Sequence, residues 1–147
     1  MLESVLPGAL TGAVNETWLL ESRSLVDTME ANGVYALLDA HQDDFNREYC
    51  GEGFPLQMAM NRSQLGGYAF PWPLPFNVSI DGQGNPNRSQ CLGVEFVVWS
   101  ASAAVQASWG ELYNQTSYSH ALFARHWGAV ARTFNGSAAV AGYELLK

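Results

Sequence analysis

A short, wholly apolar run, Val34-Tyr35-Ala36-Leu37-Leu38, is the feature that most constrains the fold. Such a run is typical of a strand in a parallel sheet covered on both faces, so we predict a buried strand over residues 34–40. The preceding residues predict a helix over 16–32, because Asn15 can cap its start and Asn32-Gly33 can end it. Helix, glycine and buried strand in this order indicate an α/β fold.

The rest of the chain repeats this alternation after a long irregular segment. Residues 44–92 hold all but one of the 6 prolines and predict a long loop. Apolar spacing predicts helices over 93–115 and 118–134, in which the tryptophans are core residues, and a second buried strand over 138–146. Two parallel strands cannot bury both of their faces, whereas eight βα units in about 250 residues close a barrel. The chain therefore has the pattern of a slice of a larger α/β domain.

Charge and hydropathy exclude two classes of function. The chain has 147 residues, room for one ordinary domain, with a net charge of −7 and only 7 Lys and Arg side chains. So few cations cannot form a basic patch, so nucleic acid is not an expected partner. No apolar run approaches the roughly 20 residues that span a bilayer, so no transmembrane segment is expected.

Six of the nine asparagines lie in Asn-x-Ser/Thr sequons, where chance would place about one. We expect N-glycosylation at these positions in a secreted or lysosome-like luminal protein, although Asn- and Ser-rich loops in a chain that is never translocated would give the same pattern. The acceptors are Asn15, Asn61, Asn77, Asn87, Asn114 and Asn135. The opening MLESVLPGAL lacks the charged and apolar regions of a signal peptide, so we expect an N-terminal segment to be missing.

The two cysteines, Cys50 and Cys91, lie in polar, glycine-rich surroundings. Either they form a disulfide, which would stabilise the fold by roughly 3–4 kcal/mol through restriction of the unfolded chain, or they are free thiols. A metal site is not expected because no CxxC or clustered histidine accompanies them. His120 and His126 are six residues apart and do not share a helix face, so we interpret them as surface or packing residues.

Polar residues follow the first predicted strand at once, in the segment Asp39-Ala40-His41-Gln42-Asp43-Asp44. The carboxyl ends of strands are where parallel α/β folds bind their ligands. The sequence therefore predicts a ligand-binding edge at the end of this strand.

Five segments carry a resemblance to a known family. Gly33-Val-Tyr-Ala-Leu-Leu-Asp-Ala-His-Gln-Asp43, followed by Cys50-Gly-Glu-Gly-Phe-Pro55, resembles the endoglycoceramidase-like branch of glycoside hydrolase family 5. Val140-Ala-Gly-Tyr-Glu-Leu-Leu146 is similar to the V-x-GYEL-x-NEP strand of that branch, and Leu6–Ala9 and Asn15–Leu19 are similar to earlier segments. The resemblance implies a (β/α)8 TIM barrel, of which this chain would cover the end of strand two through strand four. It also implies a retaining O-glycosyl hydrolase that cleaves β-glycosidic bonds of glycosphingolipids.

The resemblance places the catalytic residues outside this chain. Retaining enzymes use two carboxyl groups about 5–5.5 Å apart, one as acid/base and one as nucleophile. The acid/base glutamate of the family would follow Lys147 immediately, and the nucleophile would lie further downstream. We therefore expect the isolated chain to be inactive. Glu144 is no substitute, because by the match it lies several residues before the catalytic position.

Within the chain, the resemblance implies that His41 and Asp43 hydrogen-bond sugar hydroxyls of a glycolipid or oligosaccharide. Gln42 alternates to the other face and is interpreted as structural, Asp44 as a solvated cap of the next helix, and Trp72 as a stacking surface for a sugar ring. No cofactor is expected, and a metal is not expected because His-x-Asp lacks an identifiable third ligand. Membrane contact would be transient and made through the substrate.

Two alternatives to a glycosidase fragment stay open. The chain would be a non-catalytic glycan- or glycolipid-binding remnant if it folds alone and uses His41, Asp43 and the aromatic part of the long loop, Phe70–Phe76. It would otherwise be a truncated gene product without a function. Exposed strands such as Val34–Leu38 count against a stand-alone module, because unpaired apolar edges aggregate.

Overall fold

A computed structural model of the protein describes residues 13–60, 70–82 and 85–147. The chain divides into two compact units: unit 1 holds the residues up to His41 together with Leu122–Lys147, and unit 2 is Gln42–Ala121. In chain order the elements are α1 (Glu16–Ala31), β1 (Ala36–Asp39), α2 (Arg88–Leu92), α3 (Ala103–Tyr113), α4 (Tyr118–Phe134) and β2 (Val140–Glu144), with 3-10 helices at Arg47–Tyr49, Leu56–Met58 and Phe96–Ala101. The sequon at Asn61 and the segment Leu6–Ala9 lie outside the described residues.

Helix α1 of unit 1 begins at the predicted residue and ends one residue before the end of the predicted span 16–32. The Asn15 side chain accepts a hydrogen bond from the Trp18 amide at 3.0 Å, which satisfies one of the unpaired amides of the first turn. Gly33 follows the helix with φ +71°, a left-handed conformation that glycine adopts without steric cost. The helix buries Leu19 and Val26.

Two polar side chains of α1 join it to the segment that leads into β2. Arg23 donates from Nη1 to the carbonyl oxygen of Thr133 at 2.9 Å, at the C-terminus of α4. Glu30 accepts at Oε2 from the Ser137 hydroxyl at 3.0 Å and from the Ala139 amide at 3.4 Å. These bonds satisfy donors and acceptors that the end of α4 and the start of β2 leave unpaired.

Strands β1 and β2 pair in parallel, as an α/β fold requires, with Leu38 opposite Tyr143 and Asp39 opposite Glu144. Both strands are shorter than the predicted spans 34–40 and 138–146. The prediction that the run Val34–Leu38 is buried on both faces is wrong: Val34, Tyr35 and Leu37 are exposed, Leu37 to 61%. Ala36 and Leu38 face the core, and the alternating Leu37 lies on the face that the described part of the chain leaves open.

In unit 2 the single helix predicted over 93–115 is wrong. Residues 96–101 form a 3-10 helix, and α3 begins only at Ala103. The break is at Ser102, which has an extended backbone (φ −72°, ψ 145°) and whose hydroxyl oxygen accepts from the Val105 amide at 3.4 Å. A serine in an N-cap position starts a new helix despite the apolar stripe that runs through it.

The core of unit 2 is aromatic. The Phe45 ring lies 4.5 Å from that of Phe54 and 5.3 Å, edge-on, from that of Trp109. The Phe70 ring lies 5.6 Å from Tyr49 and 5.4 Å from Trp99. Offset and edge-on ring pairs of this kind stabilise a core beyond the area they bury.

Ser108, on α3, provides the polar contacts within this aromatic core. Its hydroxyl donates to the carbonyl oxygen of Ala104 at 2.9 Å, accepts from the Met60 amide at 2.9 Å, and lies 3.1 Å from the Tyr49 hydroxyl. Ser108 and Tyr49 are both buried. One hydroxyl therefore holds two parts of the long irregular segment against α3.

Unit 1 buries a histidine in its core. His126, on α4, is fully buried, and neither ring nitrogen has a hydrogen-bond partner in the part of the chain that the structure describes. Its ring packs edge-on against Trp127, whose indole N–H donates to the carbonyl oxygen of Leu145 at 3.1 Å.

Among the described residues, no helix is long and apolar enough to cross a membrane.

Candidate functional site

The end of β1 presents His41 beside a carboxylate that the sequence analysis did not single out. The Nδ1 atom of His41 lies 3.0 Å from Oδ2 of Asp39, the last residue of the strand. A carboxylate oxygen only accepts, so we assign the proton to Nδ1, which makes Nε2 the acceptor of the neutral ring. The His41 side chain is 45% exposed. The strand end therefore presents an oriented imidazole to solvent, and the predicted ligand binding at this edge stays a prediction.

Asp43, in unit 2, lies opposite Glu52 in an antiparallel bridge. The Asp43 amide donates to the Glu52 carbonyl oxygen at 3.1 Å, and the Glu52 amide donates to the Asp43 carbonyl oxygen at 2.7 Å. Residues opposed in this way carry their side chains on the same side of the bridge, and ligand atoms of these two carboxylates lie within 4.8 Å of each other. Glu52 is therefore a second acceptor beside the predicted Asp43. In the sequence, Glu52 was marked only by its place in Cys50–Pro55, one of the segments that resemble the family.

The turn that follows Asp43 is held by side chains and by two left-handed residues. Gln42 accepts at Oε1 from the Phe45 amide at 3.0 Å, which agrees with the structural role predicted for Gln42. Asp44 and Phe45 have φ of +47° and +75°. Positive φ costs energy for residues other than glycine, so the burial of the Phe45 ring must compensate for this strain.

Asp44 is not the solvated cap that the sequence predicted. The side chain is buried, it accepts at Oδ1 from the Ser100 hydroxyl, and its Oδ2 is buried without a partner among the described residues. Burial raises the pKa of the Asp44 carboxyl above its usual value of 3.8, and the hydrogen bond from Ser100 opposes this. Local polarity predicted exposure, whereas the left-handed turn directs this side chain into the core of unit 2.

Trp72 lies at the start of α3. Its carbonyl oxygen accepts from the Ala103 amide at 2.8 Å, and the residue is 46% exposed. A half-exposed indole offers a flat apolar face of the kind on which sugar rings stack, so the predicted stacking role stays a prediction.

Cys50 and Cys91 are joined by a disulfide, with Cα atoms 5.3 Å apart. Of the two alternatives that the sequence left open, the structure has the bonded form. The bond closes a sequence separation of 41 residues and connects the segment that carries Glu52 to α2. Reduction would remove this cross-link and leave the two segments joined only through the intervening chain.

Glu144 is the last residue of β2, and its carbonyl oxygen accepts from the Ala40 amide at 3.1 Å. The structure thus places its backbone in the sheet pairing that supports the strand end. The interpretation that Glu144 is not catalytic stays a prediction.

Three curated relatives match most of this chain. An endoglycoceramidase of Cyanea nozakii is 30% identical over 147 residues, and one of Hydra vulgaris is 31% identical over 134 residues. Endoglycoceramidase I of Rhodococcus hoagii (strain 103S) is 26% identical over 135 residues. The matches cover 99%, 90% and 92% of this chain, respectively, whereas the chain spans only 29%, 25% and 23% of the length of these relatives. No model of a known protein family matches the sequence. The chain is thus similar, along nearly all of its own length, to about a quarter of three proteins named endoglycoceramidase.

Proposed function

We propose that this chain is part of an endoglycoceramidase-like glycosidase of glycoside hydrolase family 5, built on a (β/α)8 barrel. The observation that carries the proposal is the similarity to three proteins named endoglycoceramidase over at least 90% of the chain. The substrate class is β-glycosides of ceramide, cut with retention of configuration between the sugar and the lipid. The two carboxyl groups that break the bond belong to the remainder of a protein of the relatives' length.

His41 contributes a directional contact to a sugar hydroxyl. Because Asp39 holds Nδ1 as a donor, Nε2 of the neutral ring accepts the hydroxyl proton. This arrangement supports substrate binding and orientation.

Asp43 and Glu52 contribute two carboxylates on one side of their bridge. Carboxylates are strong acceptors, and neighbouring hydroxyls of a pyranose ring are paired donors that match two acceptors at this spacing. Trp72 adds a partly exposed ring face on which the apolar side of a sugar can stack. These residue types together favour a sugar as the ligand.

Binding of lactose, a soluble β-linked disaccharide, tests the proposal on the chain itself. We expect saturation-transfer NMR to show binding that falls at least tenfold in His41→Gln and in Asp43→Asn. Glu95→Gln is the matched control, because Glu95 is an exposed carboxylate of unit 2 that the proposal gives no role. Binding that is equal in all four proteins would refute the assigned sugar contacts.

The activity is tested with fluorescent lactosylceramide. A protein of the relatives' length is expected to release intact lactose, whereas the 147-residue chain is expected to release none. Release of single galactose units would contradict the proposed cleavage between sugar and lipid. If the chain binds lactose and no longer form exists, the glycan-binding alternative replaces the enzyme fragment.

We also propose that the protein matures in the secretory pathway and carries N-glycans. Exposure of Asn77, Asn87, Asn114 and Asn135, together with the disulfide, supports this. Asn15 is half-buried and caps α1 through its oxygen, which leaves the nitrogen for a glycan. Digestion of the secreted protein with an N-glycanase should lower its apparent mass. An unchanged mass would contradict this part of the proposal.

A further inference from the structure

Asp43, one of the proposed sugar contacts, lies outside the sheet. The structure holds its backbone through the two hydrogen bonds with Glu52. A single bridge with two hydrogen bonds is a weak constraint, because an isolated pair of strands is marginal in water even when it is longer. What holds Glu52 in place therefore also helps to hold Asp43.

Gly51 is where the segment bearing Glu52 comes closest to Asp43. A Cβ atom at Gly51 would lie 1.9 Å from the carbonyl oxygen of Asp43 and 2.8 Å from its carbonyl carbon. These atoms are backbone, so they cannot move aside as a flexible side chain would. The Gly51 amide also donates to the Asn46 carbonyl oxygen at 3.0 Å. Residues 50–52 thus lie directly against the backbone that carries the Asp43 carboxylate.

Cys50 connects this segment to a different element of unit 2. Its backbone is left-handed, with φ +64°, and its sulfur is bonded to Cys91 in α2. Asn87 caps this helix by accepting at Oδ1 from the amides of Ser89 at 3.0 Å and Gln90 at 3.3 Å, and its own amide donates to the carbonyl oxygen of Ser79 at 2.8 Å. The disulfide lies one residue from the Gly51 contact and two residues from the Glu52 bridge. It is therefore the covalent support nearest to Asp43 in the described chain.

We propose that the Cys50–Cys91 disulfide is a positioning device for the Asp43 carboxylate. The inference rests on the proposed function, because it gives the disulfide a part in sugar binding through Asp43. With the bond intact, Gly51 packs against the Asp43 carbonyl and Glu52 stays paired. With the bond broken, Cys50 loses the partner that holds its left-handed backbone, and the bridge loses its support.

Reduction is a balanced exchange with an added dithiol. Two electrons and two protons pass from dithiothreitol to the disulfide, the sulfur–sulfur bond breaks, and Cys50 and Cys91 become thiols. Dithiothreitol becomes its cyclic disulfide. The Cys50→Ser, Cys91→Ser double variant reaches the untethered state without a reductant.

The experiment measures lactose binding and amide hydrogen exchange on the same samples. We expect lactose affinity to fall at least tenfold in the reduced protein, in the double variant and in Gly51→Ala, whose disulfide is intact. The control is Gly93→Ala, because Gly93 is close to Cys91 and a Cβ there would meet its nearest atom at an ordinary 3.4 Å. Its affinity should stay within twofold of the wild type.

Hydrogen exchange separates positioning from general stability. The Asp43 amide, which donates to Glu52, should lose protection on reduction, while the amides of α3 in the same unit keep theirs. Loss of protection throughout α3, with unchanged lactose binding in Gly51→Ala, would mean that the disulfide only stabilises unit 2, and the inference would be wrong.

The two proposals fail in different ways. If Asp43→Asn weakens lactose binding but reduction and Gly51→Ala leave it within twofold, the positioning inference is overturned and the proposed sugar contact stands. If Asp43→Asn has no effect either, the sugar contact is wrong and the inference falls with it.

Discussion

Mild acid should destabilise this protein through His126, which unit 1 buries in its neutral form. The side chain is fully buried, and neither ring nitrogen has a hydrogen-bond partner in the described part of the chain. Burial lowers the pKa of His126 from 6.5 to about 4 because a charged imidazolium loses its hydration there. Unfolding returns the ring to water, where it takes up a proton below about pH 6.5.

The size of the effect follows from the two pKa values. Between pH 4 and 6.5 the unfolded chain binds more protons at this site than the folded chain, so the free energy of unfolding increases with pH. The contribution of His126 is fully present above pH 6.5 and is lost as the pH falls towards 4. At about 1.4 kcal/mol per pH unit, the total loss is about 3 kcal/mol, of which about 2 kcal/mol is lost between pH 7 and pH 5.

Urea unfolding of the wild type and of His126→Leu at pH 5, 6 and 7 tests this prediction. Leucine fills a similar volume and does not titrate, so the variant should lose about 2 kcal/mol of the pH dependence while staying folded at pH 7. His41→Gln is the control, because it removes an exposed imidazole from the same unit. If His126→Leu keeps the pH dependence of the wild type, the reasoning is refuted.

Two further substitutions test the polar contacts of unit 2. Ser108→Ala should lower the free energy of unfolding by about 1–3 kcal/mol, because the Met60 amide and the Tyr49 hydroxyl lose a buried partner. Thermal unfolding against the exposed control Ser24→Ala measures this, and equal melting temperatures would contradict it. Asp44→Asn should change stability at pH 7 by less than about 1 kcal/mol, because burial disfavours the carboxylate and an amide oxygen can still accept from Ser100. Because the pKa of Asp44 is raised in the folded state, the free energy of unfolding of the wild type should increase as the pH falls through that pKa. Urea unfolding of the variant should lack this increase. A loss above about 2 kcal/mol at pH 7 would show that the charge is needed.

Among the described residues, Leu37 on the outward face of the two-stranded sheet of unit 1 stays uncovered. Leu37 is 61% exposed, whereas Tyr143 lies opposite Leu38 and its ring packs against Trp127. The matched relatives are about three to four times as long as this chain, since it spans 23–29% of their length. Closure of the proposed barrel would bury Leu37, because inward-facing side chains of all strands fill the interior of such a barrel.

Short-range chemistry explains which elements were predictable from sequence. Asn15 and Gly33 mark the ends of α1 because capping and a left-handed turn need only a few neighbouring residues. The parallel pairing of β1 and β2 followed from two apolar runs separated by helices. The polar residues after β1 predicted a ligand-binding edge because their place after a strand is itself a sequence pattern, and the family resemblance then singled out His41 and Asp43.

Long-range packing decided the rest. Glu52 lies opposite Asp43 in a β-bridge that no local sequence pattern predicts. Asp44 is buried because the left-handed backbone of Asp44 and Phe45 turns its side chain inward. The full burial of His126 depends on how α4 packs within unit 1. The apolar periodicity of a helix predicts which face is buried, but not how completely other residues cover each side chain on it. Sequence by itself therefore determined α1, α4, the parallel pairing of the two strands and the residue types at the strand end. Tertiary structure alone decided which charged and polar groups lie together and which are taken out of water, because burial and pairing depend on surfaces that are distant in the chain.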